Sequence, residues 1–312
     1  MTQPILLDCD PGLDDAVALL LAAGDPRVEI AAITTVAGNQ TLAKVTDNAR
    51  RLARLAGLDV PVAAGCERPL VRPPAWSTMH GDSGLGGVAL EVEPVALDPR
   101  HAVDVIIGVV MSRPGEVTLV PIGPLTNIAM AVRKEPRIVE NVREVVLMGG
   151  GYHSGNRTAV AEFNVLTDPE AAHIVFGEAW PLTMVGLDLT WQALATPDVM
   201  GRIGAVDTAA ARLVVDMLGS YAEAYRSNHF ASPPVHDPCA VARVIDPSVM
   251  TTRKAPLTVE LCGTATLGMT VADFRDPDPQ CTTQVAVDLD VERFWDLVVG
   301  ALSQLSQPTK IN

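Results

Sequence analysis

Residues 4–24, PILLDCDPGLDDAVALLLAAG, decide how the chain is read. An apolar run ends at Asp8 and Asp10, Pro11 and Gly12 bend the backbone, and Asp14 and Asp15 open a second apolar run that closes on Gly24. The first run has strand length and the second has helix length with a glycine stop, so the stretch predicts strand, tight turn, helix. A solvated turn needs one or two acids. Asp14 and Asp15 are also favourable charges at a helix start, but four carboxylates behind a buried strand repel one another unless a cation sits among them. Hard cations such as Ca²⁺ and Mg²⁺ take oxygen ligands of this kind.

The same alternation continues outward. VEIAAITTV (28–36) reads as a strand, TLAKVTDNARRLARLAG (41–57) as an amphipathic helix stopped by Gly57, and VPVAAG (60–65) as a short strand. Further on, EVTLVPIG (116–123), VREVVLMGGG (142–151) and PLTMVGLDL (181–189) are strand-like, and LTNIAMAVRKEP (125–136) and DPEAAHIVFGE (168–178) are helical between them. Thr167 is expected to cap the latter, with Glu170 completing a capping box. This rhythm predicts one α/β domain over 1–312, with an open, Rossmann-like, mainly parallel sheet flanked by helices. From about 255 the pattern changes: APLTVELCGTATLGMTVADF and TTQVAVDLD predict antiparallel strands, a small addition closed by the helix VERFWDLVVGALSQL. Two irregular stretches, 65–100 and 226–238, have the length and composition of functional flaps.

Bulk properties narrow the function. With 312 residues, 48% hydrophobic and 19% charged, the chain is globular. Its net charge of −14 argues against nucleic-acid or anionic-membrane partners. No apolar run approaches the roughly 20 residues of a membrane helix, and the start has no secretory pattern. The five scattered cysteines have neither disulfide nor zinc spacing, so a reduced, cytoplasmic setting is expected. No P-loop, G-x-S-x-G elbow or full dinucleotide fingerprint occurs.

In an open parallel sheet, ligands gather beyond the carboxyl ends of the strands. Asp8 and Asp10, Asn39, Ile122 with Gly123, and Gly149–Gly151 all follow strand-like runs. Two more groups join them. VHDPCAVA offers His236 as a proton donor and Asp237 as a further carboxylate, although H-D-P is also an ordinary way to start a helix. GNRTAVAEFNV offers Asn156, Glu162 and Asn164, a set able to bind sugar hydroxyls or simply to furnish a polar loop. His80, in STMHGDSG, falls in the first flap.

Taken together, DCDPGLDDAVALLLA, ITTVAGNQTLAKVTDNA, VPIGPLTNIAMA, VVLMGGGYHSGNRTAVAEFNVLTDPEAAHIVF and PVHDPCAVA resemble the nucleoside hydrolases, most of all the inosine–uridine-preferring branch, over nearly the whole chain. The resemblance implies Ca²⁺-dependent hydrolysis of the N-glycosidic bond of ribonucleosides to ribose and free base, with a role in nucleoside salvage. It implies that Asp10, Asp15, Asp237 and the backbone carbonyl of Ile122 hold Ca²⁺, and that Asp10 also takes the proton of the attacking water. Asp14, Asn39, Asn156, Glu162 and Asn164 would hold the ribose, and His236 would protonate the departing base. His80, Met148, Phe163 and Tyr225 would line the pocket, with His229 another candidate near the base, and Asp8 would steady the loop. Inversion at the anomeric carbon without a covalent intermediate is expected, in a homotetramer or homodimer.

Two other readings compete. A haloacid-dehalogenase-type phosphatase also opens with D-x-D at a strand end, but it expects Thr or Val where this chain has Gly12 and leaves His236 and Asp237 unexplained. A non-catalytic nucleoside-binding protein would need neither a base at Asp10 nor an acid at His236.

Overall fold

The structure is a computed structural model that describes residues 2–77, 79–226, 231–275 and 277–305; His229 lies outside the described residues. Ten strands are present among them: β1 (Gln3–Cys9), β2 (Val28–Thr35), β3 (Val62–Ala64), β4 (Thr118–Pro121), β5 (Glu144–Met148), β6 (Leu182–Val185), β7 (Met250–Lys254), β8 (Leu257–Val259), β9 (Thr270–Ala272) and β10 (Thr283–Leu289). Eight of them form one sheet in the order β3-β2-β1-β4-β5-β6-β10-β7, and β8 pairs with β9 in a separate antiparallel ribbon. All neighbours in the large sheet run parallel except β7, which lies antiparallel to β10.

The sheet is buried on both faces because β1 alternates between two cores. Ile5, Leu7 and Cys9 join the layer that holds the first helix, α1 (Leu13–Gly24), whereas Leu6 joins the layer under the helices Ala102–Ser112 and Thr126–Lys134. Each such leucine, fully removed from water, contributes roughly 2 kcal/mol. Nearly every residue of α1 is buried, the two acids of its first turn included, so α1 is a core helix and not a surface one. The second helix, α2 (Leu42–Leu55), is amphipathic as its sequence predicts.

The pattern at the C-terminal end is corrected in one respect. TTQVAVDLD does not belong to a separate antiparallel addition; β10 enters the main sheet beside β6, in parallel, and only then supports antiparallel β7. Its Val285 and Ala286 are fully buried, which an appendage could not achieve. The capping expectation also changes. Asp168, and not Thr167, caps the helix Pro169–Phe176 by accepting from the Ala171 N–H, with Pro169 in the first turn. Thr167 ends the preceding helix Phe163–Thr167, and Glu170 pairs with Arg72.

One residue joins the layers at the point where the strand order reverses, between β1 and β4. Asn127, fully buried, donates to Asp8 Oδ1 at 2.8 Å and to the Thr35 carbonyl at 2.9 Å, and accepts from the Cys66 N–H at 2.8 Å. Replacing it with Leu removes three hydrogen bonds at once, and Asp8 Oδ1 then keeps only the Thr34 hydroxyl. The expected cost is about 3 kcal/mol, read as a lower urea midpoint at unchanged m-value.

Candidate active site

The reversal at β1 and β4 opens a crevice at the carboxyl ends of the strands, and a cavity of about 490 Å³ lies there. Its walls include Asp14, Asn39, His80, Ile122, Met148, Asn156, Glu162, Phe163, Asn164, Tyr225, His236 and Asp237, every residue that the sequence suggested for ribose, base or pocket contact within the described chain. Asp10 and Asp15 are buried behind that wall.

The aspartate turn is built from its own backbone. Asp15 Oδ1 accepts from the Asp10 N–H at 3.1 Å and its Oδ2 from the Gly12 N–H at 2.9 Å, so Asp15 does cap α1 as an ordinary helix start would. Asn39 closes the turn from the end of β2: its backbone N–H donates to Asp10 Oδ2 at 2.6 Å, and its side-chain amide donates to the Asp10 carbonyl and to Asp15 Oδ2. Two glycines allow the fit. A Cβ at Gly38 would lie 2.2 Å from Asp10 Oδ2, and one at Gly123 would lie 2.5 Å from Asp10 Oδ1.

Capping does not account for the remaining charge. Asp8, Asp10, Asp14, Asp15 and Asp237 are all buried. Burial raises Asp8 to about 7 despite its bonds from Thr34 and Asn127. Burial, then the neighbouring Asp14, raises Asp15 to about 7. Burial and the adjacent Asp15 push Asp10 well up, and burial with Asp14 and Asp15 does the same to Asp237. Carboxylates so crowded ionise together only beside a cation. Asp14, Asp15 and Asp237 each present one oxygen, and these oxygens lie within 4.8 Å of one another. Asp10 is outside that trio, but its Oδ1 is buried with no hydrogen-bond partner. Asp237 sits at the start of the helix Pro238–Ile245 without using its side chain to cap it; the carboxyl meets Asp15 instead. The donors are all hard oxygens and fit Ca²⁺ or Mg²⁺. The sequence expectation placed Asp14 on the sugar; the structure sets it both on the cavity wall and in the carboxylate trio.

The opposite walls are neutral donors and aromatic rings. Asn164 donates to the Ile122 carbonyl at 2.9 Å and to the Met148 carbonyl at 3.2 Å, which fixes the oxygen expected to face the cation. Glu162 caps the helix Phe163–Thr167, accepting from the Asn164, Val165 and Gly150 N–H groups; burial still raises its pKa against these bonds. Asn156 Oδ1 accepts from the Phe163 N–H at 2.9 Å. His236 is buried, with Nδ1 2.7 Å from the Thr190 hydroxyl and Nε2 without a partner, and burial lowers its pKa while Asp14 opposes the shift. His80 Nδ1 accepts from the Leu13 N–H at 3.1 Å, so its proton resides on Nε2 when the ring is neutral.

Sequence reasoning missed Trp191 and Tyr221. Both line the cavity, Trp191 edge-on to the His236 ring with centroids 5.3 Å apart and Tyr221 5.7 Å from the His80 ring. Tyr221 and Tyr225 stand four residues apart on the helix Ala209–Arg226 with rings in contact at 4.9 Å, and that i, i+4 spacing was the available signal. Trp191, just after a one-turn helix, carried no comparable signal.

The profile of the family described as inosine-uridine preferring nucleoside hydrolase matches residues 5–296. The chain is 60% identical over 314 aligned positions to the inosine-uridine preferring nucleoside hydrolase of Crithidia fasciculata, covering 99% of this chain and 100% of that one. It is 58% identical to the protein of the same name from Leishmania major, with the same coverage. The solved structure of a purine-preferring ribonucleoside hydrolase from Gardnerella vaginalis superposes with a TM-score of 0.92 at 35% identity, over 97% of this chain and 99% of that chain.

Proposed function

Because the chain belongs to the inosine-uridine preferring nucleoside hydrolase family and is a hydrolase acting on nucleosides, we propose that it splits the N-glycosidic bond of ribonucleosides, inosine and uridine among them, in a Ca²⁺-dependent reaction that serves nucleoside salvage. The observation that carries this reading is the pairing, across one cavity, of a buried carboxylate cluster with a buried histidine whose Nε2 is uncommitted. Ca²⁺ fits the cluster better than Mg²⁺, because carboxylates and a backbone carbonyl suit its larger and more adaptable shell.

A cation held by Asp10, Asp15, Asp237 and the Ile122 carbonyl would orient a water and lower its pKa. Asp10 accepts the proton of the attacking water at Oδ1, the oxygen that no protein donor engages. Asp14, Asn39, Asn156, Glu162 and Asn164 bind the ribose hydroxyls, and the Glu162 carboxylate stabilises positive charge developing on the sugar. His236 hands a proton from Nε2 to the leaving base, while Thr190 at Nδ1 holds the ring in place. Trp191, His80, Phe163, Met148 and Tyr225 enclose the base and exclude water. Water attacks directly, so the released sugar has inverted anomeric configuration. The protein is expected to work in the cytoplasm as a homotetramer or homodimer; no helix among the described residues is long and apolar enough to cross a membrane.

The test compares wild type with His236→Ala on inosine, uridine and a riboside carrying p-nitrophenolate, a leaving group that needs no proton. Wild type releases free base and reducing sugar in equal amounts from both nucleosides. The variant loses roughly 10²–10⁴ in kcat on inosine and keeps most of its rate on the activated riboside. Equal losses on both would remove His236 as the proton donor, and no release of base from any ribonucleoside by wild type would remove the proposed reaction.

A further inference from the structure

Asn48 lies in the middle of α2, outside the cavity wall, yet its side chain is buried, at 8% exposure. Asparagine is a poor helix former, and a buried amide that satisfied only itself would be a net loss. Its Nδ2 spends its two hydrogens on two different segments: one goes to the Pro11 carbonyl at 3.1 Å and the other to the Ser83 carbonyl at 2.9 Å. Pro11 stands between Asp10 and Gly12 in the aspartate turn. Ser83 stands three residues after His80, in the flap that also brings Ser77 and Met79 to the cavity. One amide therefore bridges the floor of the site and its cover.

The two partners differ in how else they are held. The aspartate turn keeps its bonds from Asn39 and within Asp10–Asp15 whatever happens at position 48. Between His80 and Ser83 the flap has, besides Asn48, the Leu13 N–H on His80 Nδ1, the Gly86 N–H on the His80 carbonyl, and two exposed tethers, Gln40 to the Gly81 carbonyl and Lys44 to the Asp82 carbonyl, before Leu85 enters the core. Lys44 and Asn48 stand four residues apart on α2 and Gln40 just precedes the helix, so the flap lies beside its N-terminal half, and Asn48 is the one of the three whose side chain is buried. Exposed tethers of long side chains hold weakly. The junction is also tight from the flap side: Gly84 has φ +85°, and a Cβ there would come 3.0 Å from Asn48 Nδ2 and 3.2 Å from the Pro11 carbonyl oxygen.

We propose that Asn48 is a positioning residue for substrate binding, its amide setting the height of the flap that carries Ser77, Met79 and His80 over the ribonucleoside. The inference rests on the reading of the site as a nucleoside hydrolase. Because Asn48 acts on the cover and the reacting groups keep their own supports, its loss weakens substrate binding far more than turnover.

The experiment measures kcat and KM for inosine and uridine with wild type, Asn48→Asp and Gly84→Ala, each checked by thermal melting. Asn48→Asp keeps the size and removes both donors, setting a carboxylate against two carbonyls. Gly84→Ala strains the same junction from the flap side, leaving Asn48 and its helix intact, and decides the matter should Asn48→Asp fail to fold. Displacement by about 1 Å can cost up to 10²-fold, so KM is expected to rise at least about tenfold in either variant while kcat stays within about threefold. Unchanged KM in a folded variant, or kcat falling as much as KM rises, overturns the positioning role while leaving the hydrolase reading intact. Wild type that releases no base from either nucleoside sinks that reading, and this proposal with it.

Discussion

Replacing Asp10 with Asn lowers kcat on inosine and uridine by roughly 10²–10⁴-fold, the range for loss of a general base, while KM changes little. The substitution preserves shape, and the Asn39 N–H that now bonds Oδ2 at 2.6 Å can still find an oxygen. What is lost is the proton acceptor at Oδ1. Since Asp10 lies behind the cavity wall and not on it, the ribose contacts proposed for Asp14, Asn39 and Asn164 are expected to survive. A variant that loses nucleoside affinity along with turnover would contradict the base assignment and favour a protein that binds nucleosides without cleaving them.

The second large effect is on cation removal. Chelation is expected to reduce base release to background, and added Ca²⁺ to restore it, with Mg²⁺ restoring little because it demands a smaller octahedral shell. Stability should move in step. A ligand present at about 100 times its Kd stabilises the folded state by roughly 2.7 kcal/mol, which for a chain of this length corresponds to a fall in Tm of roughly 4 °C when the ion is stripped. The sign follows from the carboxylates: Asp10, Asp15 and Asp237 are all raised by burial and by neighbouring acids, Asp14 among them, so without a counter-ion their ionisation costs the folded state stability. Full activity after exhaustive chelation would overturn the cation-assisted reaction.

Much of the site was legible because it is local. The four acids of the first turn, the His236–Asp237 pair and the Asn156–Asn164 group each announce themselves within a dozen residues, and strand-end placement predicts that they meet. The structure brings Asp14, His236, Asp237 and the Asn156–Asn164 group to one crevice, with Asp8, Asp10 and Asp15 buried off its wall. What escaped the sequence depends on distant partners. β10 reads like any half-buried strand, and nothing within TTQVAVDLD says that it inserts beside β6. Asn127 and Asn48 look like unremarkable polar positions on helices, and only the carbonyls and carboxylates folded against them give them their importance. Thr167 and Asp168 are both sound N-cap residues, and the choice between them was made by Leu70 and Thr126, which also bond Asp168.

The position of β10 bears on how the chain is made. Among the described residues β7 pairs with β10 alone, and β6 meets β10 along its outer edge. A chain emerging from the ribosome therefore completes β7 some thirty residues before β7 has a strand to join, and until residues 283–289 arrive the sheet ends at β6 with its backbone groups open to pairing with other chains. Synthesis at about 5–20 residues per second makes that interval a matter of seconds. A message truncated just short of Thr283 would carry the whole aspartate turn, the cavity-lining segment 156–164 and His236, yet would yield a product marked for aggregation and degradation.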